Sequence, residues 1–241
     1  GVLTDAHIEL GEYEQAVSSL QQMVNLRPDL SAYSRISYLR ELHGDVEGAV
    51  EAMNMAINAG KAGTEARAWC IVQLGHLHFN SGVLDLADAE YQRALIELPN
   101  YVHALAGRAR IHAARKNYPE AISLYTQVVD TMPIPEYVIA LGEVYQVSGE
   151  RVKADQQYTL VRAMAAIYQD NGVDTDLEMA RFDADHHQNL PEALRRARQA
   201  FEARPSIYAA DVLAWTLYQT SEYKEAYEVV RQALRLGTKD A

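Results

Sequence analysis

Histidines and carboxylates gather at one point of the chain, where His186 and His187 follow Asp183 and Asp185. Imidazole nitrogens and carboxylate oxygens are ligands that transition metals accept, so the segment has the composition of a metal site. The surrounding pattern is helical, however, and neighbouring side chains on a helix point about 100° apart. These groups cannot all converge on one ion, and we predict no metal site here.

A second cluster of polar residues resembles a calcium-binding loop. It contains Asp170, Asn171, Asp174 and Asp176. Such a loop needs a glycine in its middle and a bidentate glutamate at its end. Here the glycine comes too early, and Arg181 stands where the glutamate is required. We therefore expect these residues to cap a helix.

Motifs of known catalytic or cofactor sites are missing from the sequence. It contains no glycine-rich phosphate loop, no paired-cysteine zinc pattern and no nucleophile elbow. The single cysteine, Cys70, has no neighbours that would activate it, and we expect it to be a small buried hydrophobic residue. We therefore predict that the chain is not an enzyme, with no catalytic residue and no cofactor.

The composition is that of an acidic globular protein. Among 241 residues, 22 Lys and Arg stand against 33 Asp and Glu, which gives a net charge of −11. This sign argues against nucleic acid as the main partner, because phosphate binding requires positive charge. No run approaches the roughly eighteen consecutive apolar residues of a membrane span. We expect a soluble protein, and favour the cytoplasm, although Gly1 replaces an initiator methionine and a targeting segment could lie outside this sequence.

An internal repeat runs through the whole chain and is marked by alanines that follow a short polar stretch. These alanines are Ala16, Ala49, Ala87, Ala121, Ala154, Ala193 and Ala226. Their spacings are 33, 38, 34, 33, 39 and 33 residues. In each unit, apolar residues recur with the period of a helix on both sides of a turn, which predicts a pair of packed helices.

The turn and the contact between the paired helices each have a sequence signature. Gly11, Gly44, Gly82 and Gly149 stand where the first helix of a unit must end, in a conformation that suits glycine. Pro119 and Pro191 fall in the first turn of a second helix, where no amide donor is needed. The repeated alanine is expected at the closest approach of the two helices, because a larger side chain would force the axes apart.

Two spacings exceed the usual length of the repeat. The extra residues between the second and third units fall at 58–64, where glycines predict a longer loop. Between the fifth and sixth units, the second helix is predicted to continue through 163–168 and to stop at Asn171 and Gly172.

This arrangement resembles the tetratricopeptide repeat family. The third unit carries the pattern most clearly, with Leu74, Gly75, Gly82, Ala87, Tyr91, Ala94 and Pro99 in register. Other units depart from the pattern. Arg108 and Ala180 replace the leucine of the first helix, and Arg181 replaces the small residue after it. The turn glycine is replaced by Lys116, Gln188 and Ser221. His78 and His112 occupy a position that is aromatic in the family, so we expect them to pack in the interior.

The resemblance implies an all-α fold, a right-handed α-solenoid of about seven helix-turn-helix repeats in one domain spanning 1–241. The predicted repeats are approximately 1–29, 30–67, 68–101, 102–134, 135–173, 174–206 and 207–241. In the family, first helices line a concave groove that holds a peptide or a partner's helix. Carried over to this chain, the groove residues are Tyr38, Glu41, Trp69, His76, Phe79, Asn80, His103, Arg110, Glu143, Phe182, Asp185, His186, Asp211, Trp215 and Tyr218.

The inferred groove wall is acidic and aromatic. Its eight acids are Asp5, Glu9, Glu41, Glu136, Glu143, Glu178, Asp185 and Asp211, against the one base Arg110. Such a wall suits a protein or peptide segment with Lys or Arg among apolar and aromatic residues. The alternative is that the acids form an ordinary solvated face and the rings cover seams between repeats. A subfamily that binds acidic chaperone tails uses Lys and Asn, and only Arg110 and Asn80 resemble that clamp, so we predict no chaperone docking.

A stack of repeats needs a polar capping element, and none is visible at the C-terminus of the sequence. Val229, Ala233 and Leu236 would face outward, and we expect the chain to be a piece of a longer protein or to form a homo-oligomer through its uncapped ends.

Three functions therefore remain in competition. The leading one is a non-catalytic scaffold that binds protein segments in its groove. The second is an interaction or assembly region of a larger enzyme, secretion or regulatory protein whose active part lies elsewhere. The third, a metal- or small-molecule-binding solenoid using His76, His103 and His186, is the least favoured.

Overall fold

A computed structural model describes residues 1–239, which form fourteen α-helices and no strand. The helices are α1 Val2–Glu9, α2 Tyr13–Leu26, α3 Leu30–Leu42, α4 Val46–Ala59, α5 Glu65–Asn80, α6 Leu84–Glu97, α7 Val102–Ala114, α8 Tyr118–Thr131, α9 Pro135–Val147, α10 Arg151–Asp170, α11 Asp176–Asp185, α12 Leu190–Ala203, α13 Ile207–Gln219 and α14 Tyr223–Ala233. Each predicted repeat contains one odd-numbered and one even-numbered helix. The all-α helical-repeat fold expected from the sequence is confirmed.

The repeated alanines are buried, as the packing argument requires. Their exposed fractions are 0% at Ala16, Ala49, Ala87, Ala121 and Ala193, 2% at Ala154 and 7% at Ala226. A larger side chain at these positions would meet the partner helix, because the interior is already filled.

The turns between paired helices adopt a left-handed backbone conformation. The four predicted glycines have φ between 73° at Gly11 and 91° at Gly149. Where glycine is missing, Lys116 at φ 59° and Ser221 at φ 67° adopt the same conformation. In the sixth repeat the residue concerned is His187, at φ 51°, and not the predicted Gln188. The prediction was wrong by one position, because α11 ends early and a second left-handed residue, Asn189, precedes α12.

Both long spacings have the predicted form. Helix α4 ends at Ala59 and α5 begins at Glu65, with a loop between them in which Gly63 has φ 73°. Helix α10 has 20 residues and ends at Asp170, before Gly172 at φ 78°. Pro119 and Pro191 lie in the first turns of α8 and α12, also as expected.

The described residues divide into two compact units. The terminal unit contains Gly1–Pro28, Tyr38–Asp45 and the residues from Tyr168 onward, and the central unit contains Asp29–Ser37 and Val46–Ile167. Each has a core of its own: Ile71, Tyr91 and Ile111 belong to that of the central unit, and Leu213 and Leu217 to that of the terminal unit. The single continuous solenoid over 1–241 stays a prediction.

Within the terminal unit, the first repeat contacts the seventh repeat directly. The Tyr13 hydroxyl accepts a hydrogen bond from the backbone N–H of Ile207 at 2.8 Å. The Arg235 guanidinium donates to the carbonyl oxygen of Pro205 at 3.0 Å and lies 5.2 Å from the centre of the Tyr13 ring.

The last helix does not present the apolar face that the sequence suggested. Val229 is 8% exposed and Ala233 is 5% exposed, so the expectation that both face outward was wrong. The physical reason is that these side chains pack into the core formed with Leu213 and Leu217 of α13. Leu236 is partly exposed. None of the helices described here is both long enough and apolar enough to cross a membrane.

Candidate functional site

Tyr91 connects a second helix of the central unit to the first helices of the third and fourth repeats. It belongs to α6, but its ring passes between α5 and α7, where Gly75 and Gly107 face it. A Cβ atom at either glycine would lie 2.5 Å from Cε1 of the ring, so only glycine admits the tyrosine. The Tyr91 hydroxyl then meets Nδ1 of His76, on α5, at 2.8 Å. A second-helix residue thus presents a polar group among first-helix side chains.

Arg110, which is exposed, contacts Phe79, which is partly buried against the core of the central unit. The Arg110 guanidinium carbon lies 3.9 Å from the centre of the Phe79 ring, which is a cation–π contact. Other arginines of the central unit pair with acids: Arg67 with Glu97, Arg93 with Glu90, Arg108 with Asp88 and Arg115 with Asp85. Arg110 is exposed and has no carboxylate at ion-pair distance within residues 1–239.

The electrostatics of this cluster are dominated by burial and by Arg110. Burial lowers the pKa of His76 to about 4, and the charges of Arg110 and His103 act in the same direction. Burial raises the pKa of Tyr91, and Arg110 opposes that rise. His76 is therefore neutral at pH 7. His103 makes its own contact, with Nδ1 2.5 Å from the Tyr137 hydroxyl.

The structure brings four predicted groove residues of the central unit together, namely His76, Phe79, His103 and Arg110. Of the remaining three, Trp69 is 38% exposed on α5. Asn80 is partly exposed at the last position of α5, and Glu143 is exposed on α9. Burial raises the pKa of Tyr125 and of Tyr158, and the charge of Glu143 acts in the same direction on both.

The terminal unit carries a separate, more exposed aromatic surface, formed by Trp215, Tyr218 and Tyr223. The Trp215 and Tyr218 rings stack with centres 5.7 Å apart and planes 10° apart, and Tyr223 meets Tyr218 edge-on at 5.4 Å. Their exposed fractions are 40%, 55% and 58%. Trp215 Nε1 donates a hydrogen bond to Asp185 Oδ1 at 2.8 Å, which fixes the orientation of the indole.

Sequence reasoning missed Tyr223. It belongs to α14, a second helix, whereas only first-helix positions were considered. Its place just after a turn, close in sequence to Tyr218, was the available signal, since side chains on either side of a tight turn can meet.

The other predicted groove residues of the terminal unit differ in how far their side chains are exposed. Phe182 is 3% exposed, so its assignment as a groove anchor does not hold: the ring is buried and lies 4.5 Å from the His186 ring. His186 is partly exposed, and its Nδ1 is 2.7 Å from the Phe182 carbonyl oxygen. Asp211 is exposed on α13. Tyr38 is 45% exposed and Glu41 is partly exposed, both on α3.

Several of the residues that were considered for metal or thiol chemistry are wholly or partly buried, or lie at the start of a helix. Within residues 1–239, no three His, Cys, Asp or Glu side chains are placed to hold a metal ion. Asp174 Oδ1 accepts the backbone N–H of Asp176, the first residue of α11, at 2.9 Å, whereas the N-cap residue Thr175 makes no side-chain capping hydrogen bond. Cys70 is fully buried, and burial raises the pKa of its thiol to about 12. His78 and His112 are partly buried.

Two family models of the tetratricopeptide repeat match the sequence, over residues 72–133 and over residues 1–31. The hairpins of the structure continue the same pattern outside those segments. The chain contains tetratricopeptide repeats. The resemblance drawn from the sequence is confirmed, and the buried alanines and left-handed turns are the tetratricopeptide repeat features that this chain keeps in its less regular repeats.

Solved tetratricopeptide repeat structures resemble this chain in fold. The Rap conjugation gene regulator of the plasmid pLS20, in complex with the Phr* peptide, matches with a TM-score of 0.65 and 15% identity over 98% of this chain and 72% of that one. The APC/C hetero-tetramer Cut9–Hcn1 matches with a TM-score of 0.58 and 15% identity over 85% and 39%. MamA from Desulfovibrio magneticus RS-1 gives 0.41 at 17% identity over 86% and 94%. No curated protein sequence matches significantly.

Proposed function

We propose that the chain is a non-catalytic scaffold that binds a segment of a partner protein on exposed side chains of its first helices and of the turn that follows α13. The observation that carries the proposal is the aromatic surface of Trp215, Tyr218 and Tyr223, which are 40–58% exposed although they contact one another. Tryptophan and tyrosine dominate the affinity of protein interfaces, because they bury a large area at a small cost in conformational entropy.

The orientation of Trp215 favours binding. Its hydrogen bond to Asp185 and its stacking on Tyr218 hold the indole in place before a ligand arrives. A side chain that is already ordered loses little freedom on association, so more of the contact energy appears as affinity.

The charge of the terminal unit indicates the kind of segment. Asp185 and Asp211 are exposed on α11 and α13, in a chain with a net charge of −11. Negative charge around exposed rings attracts a segment that carries Lys or Arg among apolar residues, and it accelerates encounter. The Rap structure, which shares this fold, was solved with a peptide, and this supports a peptide as the class of ligand.

The test is a binding measurement on a panel of synthetic peptides that combine one aromatic or leucine residue with lysines, glutamines or glutamates. We expect the lysine-bearing peptides to bind most tightly and to weaken as salt is added, because screening reduces charge attraction. The variant Trp215→Ala with Tyr218→Ala should lose this binding. Tyr227→Ala is the matched control, because Tyr227 is 66% exposed on the same hairpin but is not one of the three surface rings. Equal binding by the double variant and the wild type would disprove the proposal.

A further inference from the structure

We propose that one face of α14 binds an amphipathic helix of a partner protein, a helix whose apolar stripe is flanked by Asp and Glu. The surface lies on a second helix and selects negative charge. It therefore differs from the surface of the proposed function both in its place and in the charge of its partner, and neither proposal depends on the other.

The apolar residues along α14 have the spacing of a helix-pairing seam. Those that are not fully buried are Tyr223, Tyr227, Val230 and the C-cap residue Leu234, and together we call them the α14 stripe. Their spacings of 4, 3 and 4 residues place Tyr223 and Val230 at the d positions of a heptad, and Tyr227 and Leu234 at the a positions. Residues three and four apart lie on one side of a helix, so the four side chains form a single line. This d–a repeat is typical of a helix that pairs with another helix.

The α14 stripe is anchored at its base and open at its surface. Val230 is partly buried against the core of the terminal unit. Tyr227 is 66% exposed and Leu234 is 58% exposed. Large apolar side chains that lie in line and remain exposed are typical of an interaction surface, since folding alone gives no reason to place them there.

The two flanks of the α14 stripe differ, and they indicate the charge of the partner. On one flank the residues directly before the a positions are Ala226 and Ala233, which pack in the core of the terminal unit. On the other flank the residues directly after the d positions are Lys224 and Arg231, and both are exposed. The Arg231 guanidinium is 3.9 Å from the Glu228 carboxylate, and an exposed pair at this distance holds the charge only weakly. Carboxylates beside the stripe of a partner helix would complement this basic flank.

A second copy of the chain is a less suitable occupant than an acidic helix. In an antiparallel pair of α14 helices related by a twofold axis, the same flank of each helix faces its counterpart. Lys224 and Arg231 of one copy would then face Lys224 and Arg231 of the other, and like charges repel. A partner helix that carries Asp or Glu at these positions gains attraction instead.

The experiment measures the binding of two labelled synthetic peptides to the full chain by fluorescence anisotropy. Both peptides have three heptads with leucine at the a and d positions, and one carries glutamate at the e and g positions whereas the other carries glutamine. They are used at concentrations at which sedimentation shows them to be monomeric. We expect the glutamate peptide to bind about tenfold more tightly than the glutamine peptide, and the difference to shrink as salt is added.

Three variants locate the binding. Tyr227→Ala with Leu234→Ala should weaken the binding of the glutamate peptide at least about tenfold, because it removes the exposed part of the stripe. Leu26→Ala is the matched control, since Leu26 is 87% exposed on α2, and it should change nothing. Lys224→Glu with Arg231→Glu should reverse the order of the two peptides, a result that a loss of structure would not produce. If circular dichroism shows that the alanine variant is misfolded, the charge-reversal variant still decides.

The proposal is overturned if the wild type binds the two peptides alike, or if the charge-reversal variant keeps the order of the wild type. It is also overturned if the wild type dimerises in sedimentation and the alanine variant does not, because the stripe then belongs to a second copy. All of these variants keep Trp215, Tyr218 and Tyr223, on which the proposed function rests. A failure of helix binding at α14 is therefore distinguishable from a failure of the scaffold function.

Discussion

The hydroxyl of Tyr13 accepts a hydrogen bond from the backbone N–H of Ile207 at 2.8 Å, across 194 positions of sequence. Ile207 is the first residue of α13, and the first N–H groups of a helix have no partner within the helix. Tyr13 therefore satisfies one of these donors from another repeat. This contact, with the hydrogen bond that Arg235 donates to the Gly11 carbonyl oxygen at 3.3 Å, fixes the first and last repeats of the terminal unit to each other.

Replacing Tyr13 by phenylalanine should destabilise the terminal unit. The ring stays, but a buried N–H loses its acceptor, which costs about 1–3 kcal/mol. Hydrogen exchange at the Ile207 amide measures the loss directly and should become faster. The control is Tyr227→Phe, which removes a hydroxyl from an exposed ring. Unchanged protection of Ile207 would contradict the assignment.

The turn glycines Gly11 and Gly82 should respond differently to the same substitution. Both have a left-handed backbone, with φ of 73° and 76°, so alanine introduces strain of about 1–2 kcal/mol at each. Only at Gly11 would the new Cβ also lie 2.5 Å from a backbone oxygen, that of Pro205, whereas nothing lies within 4 Å at Gly82. Chemical unfolding of the two variants should show Gly11→Ala to be the less stable, and equal stabilities would refute this account.

The passage of Tyr91 between α5 and α7 can be tested with alanine at Gly107. The added methyl group would overlap the ring, and we expect a loss of about 1–3 kcal/mol, as for other overpacked interiors. Gly63→Ala is the comparison: it places a methyl group in open space, although its φ of 73° introduces strain of its own. Thermal unfolding should therefore rank Gly107→Ala below Gly63→Ala.

The environment of His76 predicts a pH dependence of stability. Its pKa falls from an ordinary 6.5 to about 4 in the folded protein, so the unfolded state binds more protons between these values. The contribution of His76 to the free energy of unfolding is complete above pH 6.5 and falls as the pH is lowered towards 4. The slope over that window is at most about 1.4 kcal/mol per pH unit.

Urea unfolding at several pH values measures this slope. His76→Gln should flatten it, and His112→Gln controls for the removal of a histidine as such. A slope between pH 4 and 6.5 that is identical in the wild type and in His76→Gln would show that His76 is not the group responsible.

Much of the fold could be predicted because the helix ends, the turns and the helix contacts of a hairpin depend on residues that are close together in sequence. The buried alanines, the left-handed turns and the long α10 all follow from the order of residues within one hairpin. The turn at His187 was misplaced by one residue, because two left-handed residues stand close together there and the sequence does not rank them. The contact of Tyr13 with Ile207 depends on how distant repeats meet, which periodicity within a hairpin does not encode.

The sequence predicted many of the residues of the candidate site, but it did not predict how their side chains are buried or which of them contact one another. First-helix positions supplied His76, Phe79, His103 and Arg110, which do lie near one another. The burial of Phe182 and the contribution of Tyr223 were not foreseen, since each depends on the rotation of a helix about its axis or on a contact across a turn.

Lys116, His187 and Ser221 hold turns that glycine would occupy without strain. Each of these residues therefore carries a local backbone strain of about 1–2 kcal/mol. A glycine at Lys116 or Ser221 is therefore a simple starting point for engineering a more heat-resistant form of the protein, and heating the natural form should loosen these hairpin corners early.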